Sequence, residues 1–478
     1  MFTNMISLGT PVFLIALLLL QSSTPSVSNP QSSEDYKATS TGDGVVTARK
    51  VMMFMFDAFR WDYAEMPGLT GFPRLFKNGV RAEYMLSEFP TVSWPNHYSI
   101  TTGLHVENHG LIDNEIYDPV LKEIFKPVNE NYYKPHWWNG GDPIWITATR
   151  QGLRAHMYYW IGGDVEIRGL RPEWWRPYTD RNISGAGPTY FNFTRDIDQA
   201  IKLFKNDSVD LVGLYLDRPD YYGHENGTMS IALNKTVHDC DKVINHLLDQ
   251  LEVNKLDNVV DVLIFSDHGM ENRSFDKRIF LEDYISKEDW NKSLIQGIGG
   301  GPLVGLWPKP GLKKKLYGTF KDRHPNMTVY YKEDLPEDDY WHLKHNRRTP
   351  PILLRADLGW YILKPVNYTW NFTVGGSHGY DNHYKDMRAS FFAIGPHFKK
   401  GYLAPSFPNV DVYQILCKIL DLDPSPNNGT WSHVAGMLVP GNWNKMIRID
   451  AKTKSNYISM MNKQLMAFAA VVLMFLML

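Results

Sequence analysis

The chain has 478 residues, which is enough for one large domain or two of ordinary size. A hydrophobic content of 43% and a charged content of 21% are typical of a globular protein. The formal net charge of −2 gives no overall basic field, which argues against a nucleic-acid polymer as a partner. The two cysteines of the sequence, Cys240 and Cys417, are too few for a disulfide scaffold, and either a pair or two buried thiols fits the pattern.

Both ends of the chain are apolar. Residues 1–23 contain a short apolar run followed by small polar residues and are predicted to be a secretory signal peptide, with an uncleaved anchor as the alternative. Residues 24–48 and 441–463 are predicted linkers. The hydrophobic residues 464–478 are predicted to be the signal for a glycolipid (GPI) anchor, or else a short membrane segment. We therefore expect an extracellular protein that is anchored to the plasma membrane.

Sequons for N-glycosylation occur throughout the chain. Their density favours passage through the secretory pathway and predicts a glycoprotein. The candidate sites are Asn182, Asn192, Asn206, Asn226, Asn234, Asn272, Asn291, Asn326, Asn367, Asn371 and Asn428.

Apolar runs and helical patterns alternate along the chain. Buried strands are predicted at 51–57, 211–216 and 259–265, and the spacing over 231–251 predicts a helix. This alternation predicts an α/β fold with a mostly parallel central sheet and helices on both faces. Functional side chains are expected at the carboxyl ends of the strands.

The sequence changes in character from 302 to 366. Prolines, basic residues and short aromatic runs dominate this segment. We interpret it as a smaller α+β insertion or cap within a main domain that spans residues 49–440.

Five short stretches carry candidate metal ligands. Asp57 ends a predicted strand, where a lone carboxylate is costly unless it binds a metal or pairs, although a helix N-cap is the alternative. Asp220 and His224 are four residues apart, so one helical turn or tight loop can direct both at one ion. Asp267 and His268 precede Gly269, which allows a turn, and glycines also flank His378.

Ser93 supplies a candidate nucleophile. A serine hydroxyl becomes reactive when a metal or a base lowers its pKa, and a helix that begins nearby favours a phosphate. Taken alone, Ser93 would be an ordinary capping serine. Together with three aspartates and three histidines it suits two Zn²⁺ ions that share one nucleophilic oxygen. We interpret His97, His105 and His383 as structural histidines.

These stretches resemble the nucleotide pyrophosphatase/phosphodiesterase family of the alkaline phosphatase superfamily, in its short, membrane-anchored form. The resemblance covers about residues 50–439 and rests on FPTVSWPNHY (89–98), HGLIDN (109–114), PDYYGH (219–224), SDHGM (266–270) and HGYDN (378–382). It implies an alkaline-phosphatase-like fold and a catalytic domain over 49–440. It also implies one zinc on Asp220, His224 and His378, and a second zinc on Asp57, Asp267 and His268, with Ser93 as the nucleophile between them. The side-chain amide of Asn114 would donate to a nonbridging phosphate oxygen.

The resemblance also implies a substrate pocket formed by Trp94, Trp160, Asp164 and Tyr178. Trp94 and Tyr178 would sandwich a nucleobase, or with Asp164 they would cage a quaternary ammonium group. A serine followed by a tryptophan departs from the Thr-Phe of nucleotide-cleaving members and lies closer to the Ser-Tyr of the choline-specific branch. The residues Asn96, His97 and Tyr98 are closer to the nucleotide branch.

The expected activity is hydrolysis of phosphodiester or pyrophosphate bonds in small nucleotides. A covalent Ser93 intermediate would release nucleoside monophosphates. The alternatives are a choline-specific glycerophosphodiester phosphodiesterase and an inactive surface binding glycoprotein. A sulfatase is disfavoured because His97 stands where that branch requires an arginine. A phosphomonoesterase is disfavoured because no arginine adjoins Ser93 to bind a phosphomonoester dianion.

Overall fold

The computed structural model describes residues 49–127, 129–180, 190–336, 341–365 and 375–440. The predicted signal peptide, both predicted linkers and the hydrophobic C-terminal segment lie outside these residues. Asn182, Asn367 and Asn371 also lie outside them, as does the side chain of Asn192. Within the described residues, no helix is both long and apolar enough to cross a bilayer.

The strands of the two larger sheets are numbered here in chain order. They are β1 (Lys50–Phe56), β2 (Val80–Ala82), β3 (Ala155–Tyr158), β4 (Trp174–Arg176), β5 (Leu211–Leu216), β6 (Val260–Phe265), β7 (Leu294–Gly300), β8 (Leu303–Pro308), β9 (Met327–Tyr331), β10 (Ile352–Ala356), β11 (Phe391–Ile394) and β12 (Tyr402–Ala404). Short ribbons pair Met85–Leu86 with Phe407–Pro408, Ile116–Asp118 with Glu123–Phe125, Glu271–Asn272 with Gly376–Ser377, and Arg278–Phe280 with Tyr361–Leu363.

The central sheet has the strand order β12-β2-β11-β6-β1-β5-β3-β4. Strand β1 pairs in parallel with β5 on one side and with β6 on the other, whereas β11 runs antiparallel to its neighbours. Every residue of β1 from Val51 to Phe56 is buried. Since successive side chains point to opposite faces, both faces of the sheet are covered. The prediction of a mostly parallel α/β sheet is confirmed.

The α-helices connect and cover these strands. They are α1 (Gly71–Asn78), α2 (Ser93–Thr102), α3 (Val106–His109), α4 (Ile144–Arg150), α5 (Tyr190–Lys205), α6 (Asp220–Asn226), α7 (Ile231–Val253), α8 (Lys287–Ser293), α9 (Lys313–Phe320), α10 (Val412–Ile419) and α11 (Trp431–Val434). The predicted helix at 231–251 corresponds to α7, which begins where the Ser230 hydroxyl accepts from the backbone N–H of Leu233.

A second, antiparallel sheet has the order β7-β8-β10-β9 and packs around its own hydrophobic core. Its strands β8, β9 and β10 lie within the predicted insertion at 302–366, but the sheet begins earlier, at Leu294. The glycines at 297, 299 and 300 interrupt the apolar alternation of β7, which explains why the sequence pattern does not reveal this strand.

Helix α2 is buried along its whole length. It begins directly at Ser93, after Val92 in an extended conformation, and Pro95 lies in the first turn, where a proline costs no internal hydrogen bond. The helix ends at Gly103, whose φ of 67° is left-handed. Cys240 in α7 and Cys417 in α10 are both buried free thiols.

Candidate active site

Three aspartates follow three neighbouring strands of the central sheet. Asp57 comes directly after β1, Asp220 begins α6 shortly after β5, and Asp267 follows β6. Because these strands are parallel neighbours, their carboxyl ends meet at one edge of the sheet. The backbone N–H of Asp220 donates to the carbonyl oxygen of Asp57 at 3.1 Å, which ties the start of α6 to the end of β1.

Asp57, Ser93, Asp267 and His268 form what we name the inner cluster. His268 Nε2 lies 3.5 Å from Asp57 Oδ1 and 3.4 Å from Asp267 Oδ2. The same nitrogen lies 3.3 Å from Ser93 Oγ. All four residues are buried. The inner cluster therefore joins the candidate nucleophile to one imidazole and two carboxylates.

Asp220, His224 and His378 form what we name the outer cluster. Asp220 Oδ1 lies 3.3 Å from His224 Nε2 and 3.5 Å from His378 Nε2, and the two imidazole nitrogens are 3.0 Å apart. The rings of His268 and His378 stack with their centroids 3.7 Å apart. The two clusters are therefore contiguous.

All three histidines present the same ring nitrogen to the clusters. Each Nδ1 contacts a backbone carbonyl oxygen, which assigns the proton to Nδ1 and leaves a lone pair on Nε2. The partners are Gly269 for His268 (2.9 Å), Gly376 for His224 (3.0 Å) and Thr91 for His378 (2.8 Å). Two such lone pairs face each other in the outer cluster, an arrangement that a shared cation stabilises.

Both clusters fit a divalent metal. Ligands placed tetrahedrally about 2.0–2.1 Å from one ion are about 3.3 Å apart. The separations within the clusters run from 3.0 Å to 3.5 Å. Asp57 Oδ1 and Asp220 Oδ1 are buried and have no hydrogen-bond donor among the described residues. Each cluster thus offers carboxylate and imidazole ligands at the spacing that one metal requires.

The carboxyl groups of the inner cluster repel each other. Burial raises the pKa of Asp57 well above its usual value, and the neighbouring charges of Asp267 and Asp220 raise it further. Burial alone would also raise the pKa of Asp267, but the imidazoles of His268 and His97 hold it below its usual value. Without a cation, the inner cluster therefore favours one charged carboxylate and one protonated one.

Asn114 is placed by a contact with the first turn of α2. Its Oδ1 accepts from the backbone N–H of Trp94 at 3.0 Å, which leaves the amide N–H groups to donate elsewhere. His109 ties the same loop to the helix, because its Nε2 lies 2.8 Å from Ser99 Oγ and its Nδ1 accepts from the backbone N–H of Leu111. The loop thus keeps Asn114 beside the start of the helix that carries Ser93.

The predicted base sandwich differs from the structure. The rings of Trp94 and Tyr178 meet edge to face, with centroids 5.3 Å apart at 76°. A flat base between two parallel rings requires roughly 7 Å between them. The two rings do not offer that space in this conformation.

The other two predicted pocket residues are held inside the protein. Trp160 is fully buried and packs edge to face against His97. Asp164 is also buried, and its two oxygens accept from the hydroxyl of Tyr132 at 2.8 Å and from the backbone N–H of Tyr178 at 3.2 Å. Both differ from the sequence expectation because these long-range contacts have no local pattern.

The structure adds two residues that the sequence analysis did not assign to the site. His97, interpreted as a structural histidine, lies with its Nε2 3.4 Å from Asp267 Oδ2. Tyr215 donates its hydroxyl hydrogen to Asp57 Oδ2. His97 comes four residues after Ser93. That spacing is the sequence signal that could have identified His97 as a site residue. His105 and His383 instead contact Glu88 and Asp381.

A left-handed backbone also supports the inner cluster. Ala58, which directly follows Asp57, has a φ of 54°, and its N–H donates to Asp267 Oδ1 at 3.0 Å. A residue other than glycine adopts this conformation only when its surroundings compensate for the strain. Here the compensation is a hydrogen bond to a site carboxylate.

Comparisons with known proteins agree with this geometry. The family model of type I phosphodiesterase / nucleotide pyrophosphatase matches residues 51–381. Human ectonucleotide pyrophosphatase/phosphodiesterase family member 5 is 34% identical over 391 residues, which cover 82% of this chain and 78% of that protein. Member 7 from Mus musculus is 33% identical over 405 residues, which cover 84% and 90%. A protein of Xenopus laevis named bis(5'-adenosyl)-triphosphatase is 34% identical over 396 residues, which cover 81% of each chain.

A solved structure of an inactive variant of murine ectonucleotide pyrophosphatase/phosphodiesterase 5, in complex with AMP, shares the fold. It has a TM-score of 0.75 and 35% identity, and the match covers 82% of this chain and all of the other. The alkaline-phosphatase-like architecture predicted from the sequence is thus confirmed. The chain belongs to the type I phosphodiesterase / nucleotide pyrophosphatase family, and is an enzyme of the hydrolase class.

Proposed function

We propose that this protein is a two-zinc phosphodiesterase that cleaves phosphodiester or pyrophosphate bonds of small nucleotides and releases nucleoside monophosphates. The observation that carries the proposal is the orientation of three imidazoles. Each is fixed through Nδ1 to a backbone carbonyl and turns Nε2 toward a site carboxylate. Ser93 Oγ lies within 3.3 Å of one of these nitrogens.

Zinc is the metal that this donor set suits best. Imidazole and carboxylate ligands together favour Zn²⁺ over Mg²⁺ or Ca²⁺, which prefer oxygen ligands alone. One ion would be held by Asp57, Asp267 and His268 with Ser93, and the other by Asp220, His224 and His378. When bound there, two such ions would supply activation of the attacking oxygen and neutralisation of charge on the leaving oxygen.

The side chains divide the remaining work. Ser93 Oγ releases its proton and attacks phosphorus in line, a bond from Oγ to phosphorus forms, and the bond from phosphorus to the leaving oxygen breaks, with a proton from solvent going to the leaving oxygen. Water then cleaves the bond to Oγ, which releases a phosphate monoester and restores the serine. Asn114 donates an amide N–H to a nonbridging oxygen as charge develops. The start of α2, whose first residue is Ser93, favours the phosphate through its backbone N–H groups.

Two relatives support a nucleotide substrate. The solved murine relative is described in complex with AMP, and the Xenopus laevis relative is named for hydrolysis of a dinucleotide. In this chain Trp94, in the first turn of α2, contacts the ring of Tyr178. One of the two rings would have to turn from the edge-to-face contact for a base to stack there. Asp164 is buried against Tyr132 and Tyr178, which disfavours it as one wall of a cage for choline.

We further propose that the enzyme acts at the extracellular face of the plasma membrane, anchored through its C-terminal residues. The sequon asparagines support this proposal. Among those that the structure describes, all except Asn326 are exposed and so accessible to a glycan.

A competition assay tests the proposed substrate. The purified, zinc-loaded protein would receive a nucleotide p-nitrophenyl ester together with p-nitrophenylphosphocholine. We expect the nucleotide ester to be hydrolysed preferentially. Preferential hydrolysis of p-nitrophenylphosphocholine would indicate that the substrate is a choline diester and not a nucleotide. Cleavage of neither, with zinc bound, would favour a surface binding glycoprotein.

A further inference from the structure

Helix α2 carries a buried histidine below the candidate nucleophile. His97 follows Ser93 by four residues, so the two side chains lie on the same face of the helix, one turn apart. His97 is fully buried, and its Nε2 lies 3.4 Å from Asp267 Oδ2. The same helix therefore carries both Ser93 and a contact to a carboxylate of the inner cluster.

Tyr215 makes the matching contact from the sheet. It lies on β5 and pairs with Met55 of β1. Met55 comes two residues before Asp57 in the chain. Its hydroxyl donates to Asp57 Oδ2. The rings of Tyr215 and His97 meet edge to face, with centroids 4.8 Å apart at 78°. The two residues thus form one buried support beneath both inner carboxylates.

These contacts direct particular oxygens at His268. In Asp57, Oδ2 accepts from Tyr215, and Oδ1 remains 3.5 Å from His268 Nε2. In Asp267, Oδ1 accepts two backbone N–H groups, from Ala58 and His268, each at 3.0 Å. Oδ2 of Asp267 therefore faces His268 Nε2, and His97 lies beside that oxygen.

We propose that His97 and Tyr215 are positioning residues that hold Asp267 and Asp57 in the orientations required by the inner metal. The inference rests on the proposed two-metal function. A carboxylate rotates freely about its last bond unless a hydrogen bond stops it, and loss of such an outer partner typically weakens metal binding by about 10–100-fold. His97 acts on Asp267 and Tyr215 acts on Asp57; both act through these carboxylates and not on the substrate.

Three substitutions separate this role from others. Tyr215→Phe removes only the hydroxyl, and His97→Leu removes the ring nitrogens at similar volume. His97→Gln keeps a side-chain N–H donor. A nitrogen of His97 also lies within 4.8 Å of an oxygen of Asp57 and of Asp267, so His97→Gln also distinguishes an outer donor from a direct ligand.

Tyr98→Phe is the matched control. Tyr98 is the next residue of the same helix, is equally buried, and donates its hydroxyl to the backbone carbonyls of Trp138 and Gly141, away from both clusters. Tyr98→Phe therefore measures how far the loss of a buried phenol hydroxyl lowers the melting temperature when the site itself is unchanged.

The measurement is the dissociation constant of each of the two zinc equivalents, by chelator competition on the full-length protein. The melting temperature of the zinc-free form is recorded beside it. We expect Tyr215→Phe and His97→Leu to weaken one equivalent by about 10–100-fold and to leave the other unchanged. His97→Gln should restore most of that affinity. Tyr98→Phe should lower the melting temperature with both affinities unchanged.

Other outcomes overturn the inference in distinguishable ways. If both equivalents stay within about threefold of wild type in Tyr215→Phe and His97→Leu, only the positioning role is lost and the two-metal function stands. If His97→Gln loses an equivalent as completely as His97→Leu, His97 is a ligand and not a positioning residue. If the unaltered protein binds fewer than two zinc ions, the proposed function and the inference are both wrong.

Discussion

The inner and outer clusters use similar side chains in different surroundings. In the inner cluster, the side chains of Asp267 and His268 are 0% exposed, and they follow a central strand directly. In the outer cluster, the side chain of His224 is 37% exposed and that of Asp220 is 19% exposed. The outer residues come from the short helix α6 and from the turn that follows Gly376–Ser377.

This difference separates two tasks of a hydrolytic site. Charges interact more strongly where water is excluded, so the inner cluster is suited to activating a buried nucleophile. The outer cluster adjoins solvent, so it is suited to exchanging a leaving group or a water molecule. The contrast predicts that matched changes in the two clusters will have unequal effects.

The largest expected effect comes from Ser93→Ala. Loss of the hydroxyl should lower turnover by roughly a thousandfold or more, because no covalent intermediate can form. Zinc content should stay largely intact, since Asp57, Asp267 and His268 remain. Steady-state kinetics with a nucleotide p-nitrophenyl ester measure the loss, and Ser93→Thr, which keeps a hydroxyl, is the control. Near-normal turnover of Ser93→Ala would contradict the covalent mechanism.

Asp267→Asn and Asp220→Asn compare the two clusters directly. We expect the inner substitution to weaken one zinc equivalent by roughly a hundredfold or more, and the outer substitution to weaken the other by less. Equal losses of zinc affinity in Asp267→Asn and Asp220→Asn would contradict the proposed difference between the inner and outer clusters.

Metal removal should occur in two steps. Because the outer cluster is more exposed, its zinc should pass to a chromophoric chelator first and the inner zinc later. Asp220→Asn should speed the fast phase and leave the slow one unchanged. Each site contributes about 4 kcal/mol to stability at free zinc a thousand times its dissociation constant, so the two phases should be accompanied by two decreases in melting temperature. A single release phase in the wild type would contradict the difference in access.

The sequence predicts the central sheet and the cluster residues well for a physical reason. Buried parallel strands are continuous apolar runs, and the strands predicted at 51–57, 211–216 and 259–265 match β1, β5 and β6 closely. Polar residues directly after such runs have few roles other than binding or pairing, so Asp57 and Asp267 stand out. The structure brings every predicted carboxylate and imidazole ligand, together with Ser93, into two contiguous clusters.

Features that depend on distant contacts were not predictable in this way. Tyr215 and Asp57 are separated by 158 residues, and neither carries a local sign of their hydrogen bond. The burial of Trp160 and the two hydrogen bonds of Asp164 likewise arise only when separate loops pack together. The predicted pocket residues rest on the family resemblance alone. Such a resemblance identifies positions in the sequence but not the direction in which a side chain points.

The smallest expected effect concerns the scaffold behind both clusters, and it separates acid unfolding from acid release of zinc. Burial lowers the pKa of His109 to about 3, against 6.5 for an ordinary histidine. Between these two pH values, His109 is protonated in the unfolded chain but not in the folded chain. His109 therefore costs no stability above pH 6.5, and between pH 6.5 and about pH 3 it lowers the free energy of unfolding by about 1.4 kcal/mol per pH unit. Denaturant unfolding of the zinc-free protein at several pH values measures the slope. His109→Gln should flatten it; equal slopes in this variant and in the wild type would place the acid sensitivity in other groups.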